Sequence, residues 1–357
     1  MKVGRLTEAA LVEAIRRDFG GRGRGLELGI GDDAAVLRSG RRKRERLLLT
    51  TDLLVEDVDF RQSFHPPFLL GRKSLNVNLS DIAAMGGRPR WALLGLALPR
   101  RLGTAWVEDF FRGFRSACRD EDVRLIGGDL SAADKIAVSV TVVGEAHSVV
   151  TRRGARPGDF LFVSGPLGDA AAGLRLLEKG ARPQSPKRVF TDSTGSGLKR
   201  VPQISAGIGL KPGKGARRAV EHLLQAFLDP KPKTALGLEL ARRHLASAMI
   251  DLSDGLSVDL RHICQESRVG AEVWGDCLPL SREVKELFPS PVPLALHGGE
   301  DFELLFSAPR RRLKALRRLG RSHPLFPIGR IVRGEAIVLI ERGGRRSPLP
   351  SRGWQHF

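Results

Sequence analysis

The 357-residue chain has only three cysteines, Cys118, Cys264 and Cys277. They form no C-x-x-C pair and leave an odd thiol, which argues against a disulfide framework or a cysteine-built zinc site. Long apolar stretches are missing too. The longest candidate, Trp91 to Pro99, falls far short of the roughly 20 residues that span a bilayer. Met1 to Ala14 alternates charged and apolar residues where a signal peptide would hold an uninterrupted apolar segment. A cytoplasmic protein in a reducing compartment is the expectation. Two phosphate-binding signatures are also absent. Gly209 to Gly215 reads G-L-K-P-G-K-G, one residue short of a Walker A spacing and without its Ser/Thr, and no G-x-G-x-x-G opens a helix after a strand.

What is present in excess is positive charge: 59 Lys+Arg against 40 Asp+Glu give a formal net charge of +19. Such a balance invites a nucleic-acid reading. Its distribution argues otherwise, because Arg41 to Arg46, Ala181 to Arg218 and Arg310 to Arg318 carry +4, +8 and +6. The rest of the chain is nearly neutral. Ala181 to Arg218 holds 14 Gly, Pro and Ser among 38 residues and reads as an irregular insertion or surface loop. Arg310 to Arg318, with Leu313, Leu316 and Leu319, reads as a helix with a basic outer face. No basic stretch interleaved with aromatics marks a nucleic-acid module. With 41% hydrophobic and 28% charged residues, the chain is globular and long enough for two domains.

Periodicity predicts helices over Thr7–Phe19, Pro67–Met85, Thr104–Asp120 and Asp169–Leu177, and another after Gly255. Gly86, Gly87 and Pro89 end the second of these. Strands are expected around Leu26–Ile30, Ala34–Leu37, Leu47–Thr51, Ala92–Leu98, Arg124–Ile126, Ile136–Glu145, Phe160–Val163, Leu294–Leu296, Phe302–Phe306 and Ala336–Ile340, and Ala248–Gly255 reads as a strand followed by a tight turn. The fold class is α/β (α+β). We place an N-terminal domain at residues 1–148 and a C-terminal domain at 149–357, with the Gly-, Arg- and Pro-rich Thr151–Asp159 at the junction.

Acidic residues recur beside Gly, Ser or Thr at strand ends or inside an apolar helix. They are Gly31-Asp32-Asp33, Thr50-Thr51-Asp52, Asn78-Leu79-Ser80-Asp81, Gly127-Gly128-Asp129 and Asp251-Leu252-Ser253-Asp254-Gly255. Turn and cap chemistry explains any one of them. Asp81 is harder to explain that way, because it sits among apolar helix residues where an unpaired carboxylate costs several kcal/mol. Magnesium, which takes oxygen ligands shared between carboxylates and substrate phosphates, is the natural counter-charge. Several ions and a triphosphate would occupy so many aspartates.

In this order the motifs resemble the thiamine-monophosphate kinases, in the superfamily that includes aminoimidazole ribonucleotide synthetase and selenophosphate synthetase. The stretches that carry the resemblance are E-L-G-I-G-D-D-A-A-V-L from Glu27, T-T-D-L-L-V-E from Thr50, N-L-S-D-I-A-A-M-G-G from Asn78 and L-I-G-G-D from Leu125. T-R-R-G-A-R-P-G-D from Thr151, I-D-L-S-D-G-L from Ile250 and G-G-E-D-F-E-L from Gly298 complete them. The resemblance implies an N-terminal, dimerising, ATP-binding domain of the aminoimidazole ribonucleotide synthetase-like type, and a C-terminal α/β domain closing over it. It implies ATP-dependent phosphorylation of thiamine monophosphate to thiamine diphosphate by a homodimer. It further implies magnesium ligands at Asp33, Thr50, Thr51, Asp52, Asp81, Asp129, Asp251 and Asp254, and ATP contacts at Gly128, Asp129, Arg152 and Ser253. Substrate contacts are implied at Glu300 and at Trp354, which stands where the family often has Tyr.

The chain departs from the pattern at V-E-D-V-D-F, where the family has V-E-G-V-H-F with the His on substrate. Asp57 and Asp59 stand there instead, and a carboxylate at Asp59 would repel a substrate phosphate unless a cation intervenes. The basic insertion at about 181–218 is the second departure. Within the superfamily, selenophosphate synthetase lacks its Cys here, and a hydrogenase-maturation protein lacks its terminal Cys. Aminoimidazole ribonucleotide synthetase is the alternative enzyme. A nucleic-acid-binding protein using the basic segments is the alternative of another class.

Overall fold

A computed structural model describes residues 8–20, 23–39, 45–182 and 214–353. Trp354, most of the basic insertion and Arg41–Arg44 lie outside the described residues.

Two mixed α/β halves are each built on one sheet. The first contains β1 (Leu26–Leu28), β2 (Ala35–Arg38), β3 (Arg46–Val55), β4 (Arg88–Leu98), β5 (Arg124–Ala132) and β6 (Ala137–Ala146) in the order β1-β2-β3-β6-β4-β5. Its centre is the ten-residue antiparallel pairing of β3 with β6, from Arg46 opposite Ala146 to Val55 opposite Ala137. β6 alternates strictly between buried and half-buried positions, the period-two pattern of a strand with one covered face. That face packs against α2 (Pro67–Ala84) and α3 (Thr104–Asp120), with α1 (Glu8–Phe19) at the start of the chain.

The second half holds β7 (Phe160–Val163), β8 (Ala248–Asp251), β9 (Gly270–Trp274), β10 (Leu304–Ala308), β11 (Phe326–Val332), β12 (Ile337–Ile340) and β13 (Arg346–Pro348). Their order is β13-β12-β9-β11-β7-β10-β8. Its helices are α4 (Asp169–Glu178), α5 (Lys214–Leu228), α6 (Thr234–Arg242), α7 (Leu256–Ser267), α8 (Arg282–Leu287), α9 (Val292–His297) and α10 (Leu313–Leu319).

Helix α2 joins the halves. Fourteen of its 18 residues are buried, because one side meets the first sheet and α3 while the other meets α6 and β8. It ends as the sequence predicts. Gly86 adopts φ +71° and its N–H reaches Ala83 O at 2.9 Å, while Gly87 N–H reaches Ile82 O at 2.9 Å.

Three expectations need correction. Leu294–Leu296 is helical, within α9, since a short apolar run carries no period that separates strand from helix and Pro293 suits a first helical turn. Gly127-Gly128-Asp129 lies inside β5 rather than at a turn. Gly128 is needed there because a Cβ would meet Leu94 O of β4 at 1.9 Å. The insertion ends earlier than Arg218, as α5 begins at Lys214.

Candidate active site

Three elements bring carboxylates together. Strand alternation on β3 turns Thr50 and Asp52 toward α2 and leaves Thr51 on the opposite, exposed face. From α2, Asp81 accepts a hydrogen bond from Thr50 Oγ1 at 2.5 Å, and Asn78 Oδ1 accepts from Asp52 N at 3.1 Å. The end of β8 adds Asp251, 3% exposed, and the turn before β2 adds Asp33, 8% exposed. Oxygen atoms of Asp33, Asp81 and Asp251 all lie within 4.8 Å of one another.

Only one fixed cation among the described residues meets this group. Arg152 Nη2 donates to Asp33 Oδ1 at 2.6 Å, and the Arg152 backbone N–H reaches Asp32 at 3.2 Å. Withdrawal from water raises the carboxyl pKa throughout. Asp251 is pushed up to about 8 by burial and then by the charge of Asp33. Burial and Asp33 take Asp32 to about 7, and desolvation with Asp59 takes Asp52 to about 6. Asp81 lies well above its usual range, first from desolvation and then from Asp52, Asp251 and Asp33. Burial raises Asp33 as well, against the pull of Arg152.

Asp33 Oδ2 and Asp251 Oδ2 are buried with no hydrogen-bond partner. An unpaired buried oxygen is costly, and two beside a third carboxylate call for a cation. A hard divalent ion with oxygen ligands fits this donor set, which contains no sulfur.

Asp52, Asp81 and Asp251 line a cleft of about 390 Å³ between the halves. Its lining also includes the aromatic Phe60, Phe64, Phe227 and Phe302 and the polar Asp59, Arg61, Glu178, Ser253, Asp254 and Glu300. The C-terminal segment approaches the same place: a Cβ on Gly353 would stand 2.4 Å from Asp254 O.

Of the residues singled out from the sequence, Asp33, Thr50, Asp52, Asp81, Asp251 and Arg152 converge. Asp59, Ser253, Asp254 and Glu300 line the adjoining cleft. Thr51 hydrogen-bonds to Val140 O and Thr141 Oγ1 on the other face. Gly128 and Asp129 are exposed on edge strand β5, with Asp129 in register with Gly95, Ser139 and Leu53. That is three strand spacings, about 14 Å, from β3.

The two aspartates of the V-E-D-V-D-F departure are accommodated separately. Asp57, at φ +68°, pairs with Lys135 at 3.2 Å, while Asp59 accepts the Val55 N–H at 2.7 Å. Sequence reasoning missed Lys73 and Phe227. Lys73 precedes Asp81 by eight residues and so shares its helix face, a spacing that would have flagged it.

The chain is similar to known proteins along its length. Residues 31–146 match the family model of the AIR synthase related protein, N-terminal domain. The thiamine-monophosphate kinase of Aquifex aeolicus (strain VF5) is 34% identical over 361 residues, covering 100% of both chains. That of Escherichia coli (strain K12) is 34% identical over 341 residues, covering 93% of this chain and 92% of the relative. The solved structure of AaThiL complexed with AMPPCP and TMP superposes with a TM-score of 0.80 at 33% identity, covering 100% of this chain and 99% of that one. With 34% identity along its whole length to such a relative, the chain belongs to the thiamine-monophosphate kinase family.

Proposed function

We propose that the chain transfers the γ-phosphoryl group of ATP to thiamine monophosphate, forming thiamine diphosphate, at the junction of the carboxylate cluster and the aromatic cleft. The observation that carries this reading is that ligand oxygens of Asp33, Asp81 and Asp251 lie within 4.8 Å of one another, with Asp81 and Asp251 lining the same cleft as Phe60, Phe64 and Phe227.

Joining two polyanions is chiefly a matter of neutralising charge and holding oxygens in line. Magnesium ions held by Asp33, Asp81 and Asp251, with Asp52, Thr50 and Asp254 beside them, would supply positive charge and a template for phosphate oxygens. Arg152 keeps Asp33 oriented and adds a guanidinium for a phosphate. Ser253 lines the path of ATP. The acceptor phosphate is ionised at neutral pH, so no side chain has to act as general base. The phenyl rings exclude water and pack against the heteroaromatic rings of the acceptor. Glu300 faces its positive charge. The Asp59 carboxylate, held on the Val55 N–H, stands beside Asp52 in place of the family's His.

A homodimer and two domains belong to the same proposal. The uncovered face and edge of the first sheet expose Leu53, Leu93, Ile126 and Leu130, an apolar surface suited to a second copy. Thr51, Gly128 and Asp129 share that surface, so in this reading they serve a site completed between copies. The first sheet ends with β6 at Ala146 and the second begins with β7 at Phe160, which supports a junction within 149–159. Three unbridged cysteines suit a cytoplasmic setting, and among the described residues no helix is long and apolar enough to cross a membrane.

An assay of ADP release with ATP and magnesium tests the function. Thiamine monophosphate should support turnover and formylglycinamidine ribonucleotide should not. Turnover of the second alone would replace this reading with that of a synthetase.

A further inference from the structure

Lys73 is fully buried, 0% exposed, in the middle of α2. Its Nζ lies 2.8 Å from Glu300 Oε1, 3.2 Å from Phe227 O and 4.0 Å from the centroid of the Phe227 ring. Both partners line the cleft. Lys73, Val77 and Asp81 follow at four-residue steps, so one face of α2 presents the ammonium, an apolar cleft wall and a cluster carboxylate in succession. Glu300 in turn sits on a strained loop, at φ +67°, with Phe302 at φ +48°. That loop is held by Glu300 N–H on Ser253 O at 2.7 Å and Phe302 N–H on Leu252 O at 2.9 Å. Non-glycine residues persist in this conformation only where their surroundings impose it.

We propose that Lys73 is a positioning residue for the acceptor: it holds Glu300 through one carboxylate oxygen so that the other faces the cleft. The proposal rests on the function given above. Docking of α2 onto the second half does not need Lys73, because Arg72 pairs with Asp229 at 2.9 Å and Asn76 donates to Pro230 O at 2.9 Å. A buried ion pair contributes little net stability compared with an apolar pair of similar volume. What Lys73 adds is the orientation of a carboxylate that is 29% exposed beside the ring of Phe227. A cationic heteroaromatic with a donor group meets a fixed acceptor there, without first ordering a free side chain.

The test is steady-state kinetics on the full chain with Lys73→Met, Lys73→Arg, Glu300→Gln and the Lys73→Met/Glu300→Gln double variant, with thermal unfolding of each. Lys73→Met should raise KM for thiamine monophosphate about tenfold or more while kcat and KM for ATP stay within about threefold. Lys73→Arg should recover part of the loss. The double variant should be no worse than the poorer single one, as expected for residues acting as a unit. An unchanged acceptor KM with a lowered melting temperature, or strictly additive losses, would overturn the proposal. Should Lys73→Met not fold, Lys73→Arg decides: a rise confined to acceptor KM supports the proposal and an unchanged KM rejects it. If the unsubstituted protein neither binds nor turns over thiamine monophosphate, the function itself falls and this inference with it.

Discussion

Helix α2 meets buried acid at both ends, and the two ends handle it differently. Near its start, Asp229 is 6% exposed and accepts from Arg72, Asn76, Gln225 and Lys231. Near its end, Asp81 faces Asp33 and Asp251, with Thr50 donating to Asp81 and Arg152 to Asp33. Oxygens of Asp33 and Asp251 remain without partners. The first arrangement is complete within the protein and fastens two halves together. The second is incomplete, and raised carboxyl pKa values at Asp81 and Asp251 are the electrostatic sign of that incompleteness. Burial alone therefore does not identify a functional aspartate; unsatisfied burial among like charges does.

Substitution at the two ends should separate these roles. Asp81→Asn or Asp251→Asn should lower kcat/KM by about a thousandfold or more while leaving the metal-free protein as stable as before or more so, because a repelling charge is removed. Asp229→Asn should do the reverse, costing about 2 kcal/mol of stability by removing the charge that Arg72, Asn76, Gln225 and Lys231 share, although Arg72 keeps Asp120 at 2.8 Å, with turnover per folded molecule nearly unchanged. Denaturant titration and the ADP-release assay on the three variants read both quantities. Equal kinetic damage at Asp229 would erase the distinction. A smaller effect is expected at Arg152, whose replacement by Met removes the guanidinium that pairs with Asp33 and that the proposed function directs at a phosphate. We expect a loss of about a hundredfold in kcat/KM, with KM for ATP rising more than KM for the acceptor.

The same contrast explains what could be read without coordinates. Helix α3 runs over Thr104–Asp120 as its amphipathic period requires, and α2 ends at its Gly pair, since both signals are local. Asp81 was legible because a carboxylate within an apolar helix conflicts with its surroundings. The partners were not. Asp229 looks like an ordinary charged residue that only the packing around α2 makes buried, and Lys73 offers no local signal beyond its spacing to Asp81. Leu294–Leu296 failed for want of a period, and β9, β11 and β13 were missed because their pairing is set by distant strands rather than by local pattern. The implied roles of Thr51, Gly128 and Asp129 came from resemblance, whereas this single chain sets Thr51 on the open face of the first sheet and Gly128 and Asp129 on its exposed edge strand.

The central claim is that the Asp33, Asp81 and Asp251 cluster is a cation site, and its most direct test is thermal unfolding with and without magnesium as a function of pH. Each raised carboxyl binds its proton more tightly folded than unfolded. Stability of the metal-free protein therefore falls as pH rises from the unfolded value near 4 toward the folded values, about 6 for Asp52, about 7 for Asp32 and about 8 for Asp251. A bound cation favours the ionised forms and opposes that fall. The account predicts a magnesium-induced rise in melting temperature that is larger at about pH 8 than at about pH 6 and is lost in Asp251→Asn. A magnesium effect that is absent, independent of pH, or retained in Asp251→Asn would contradict it.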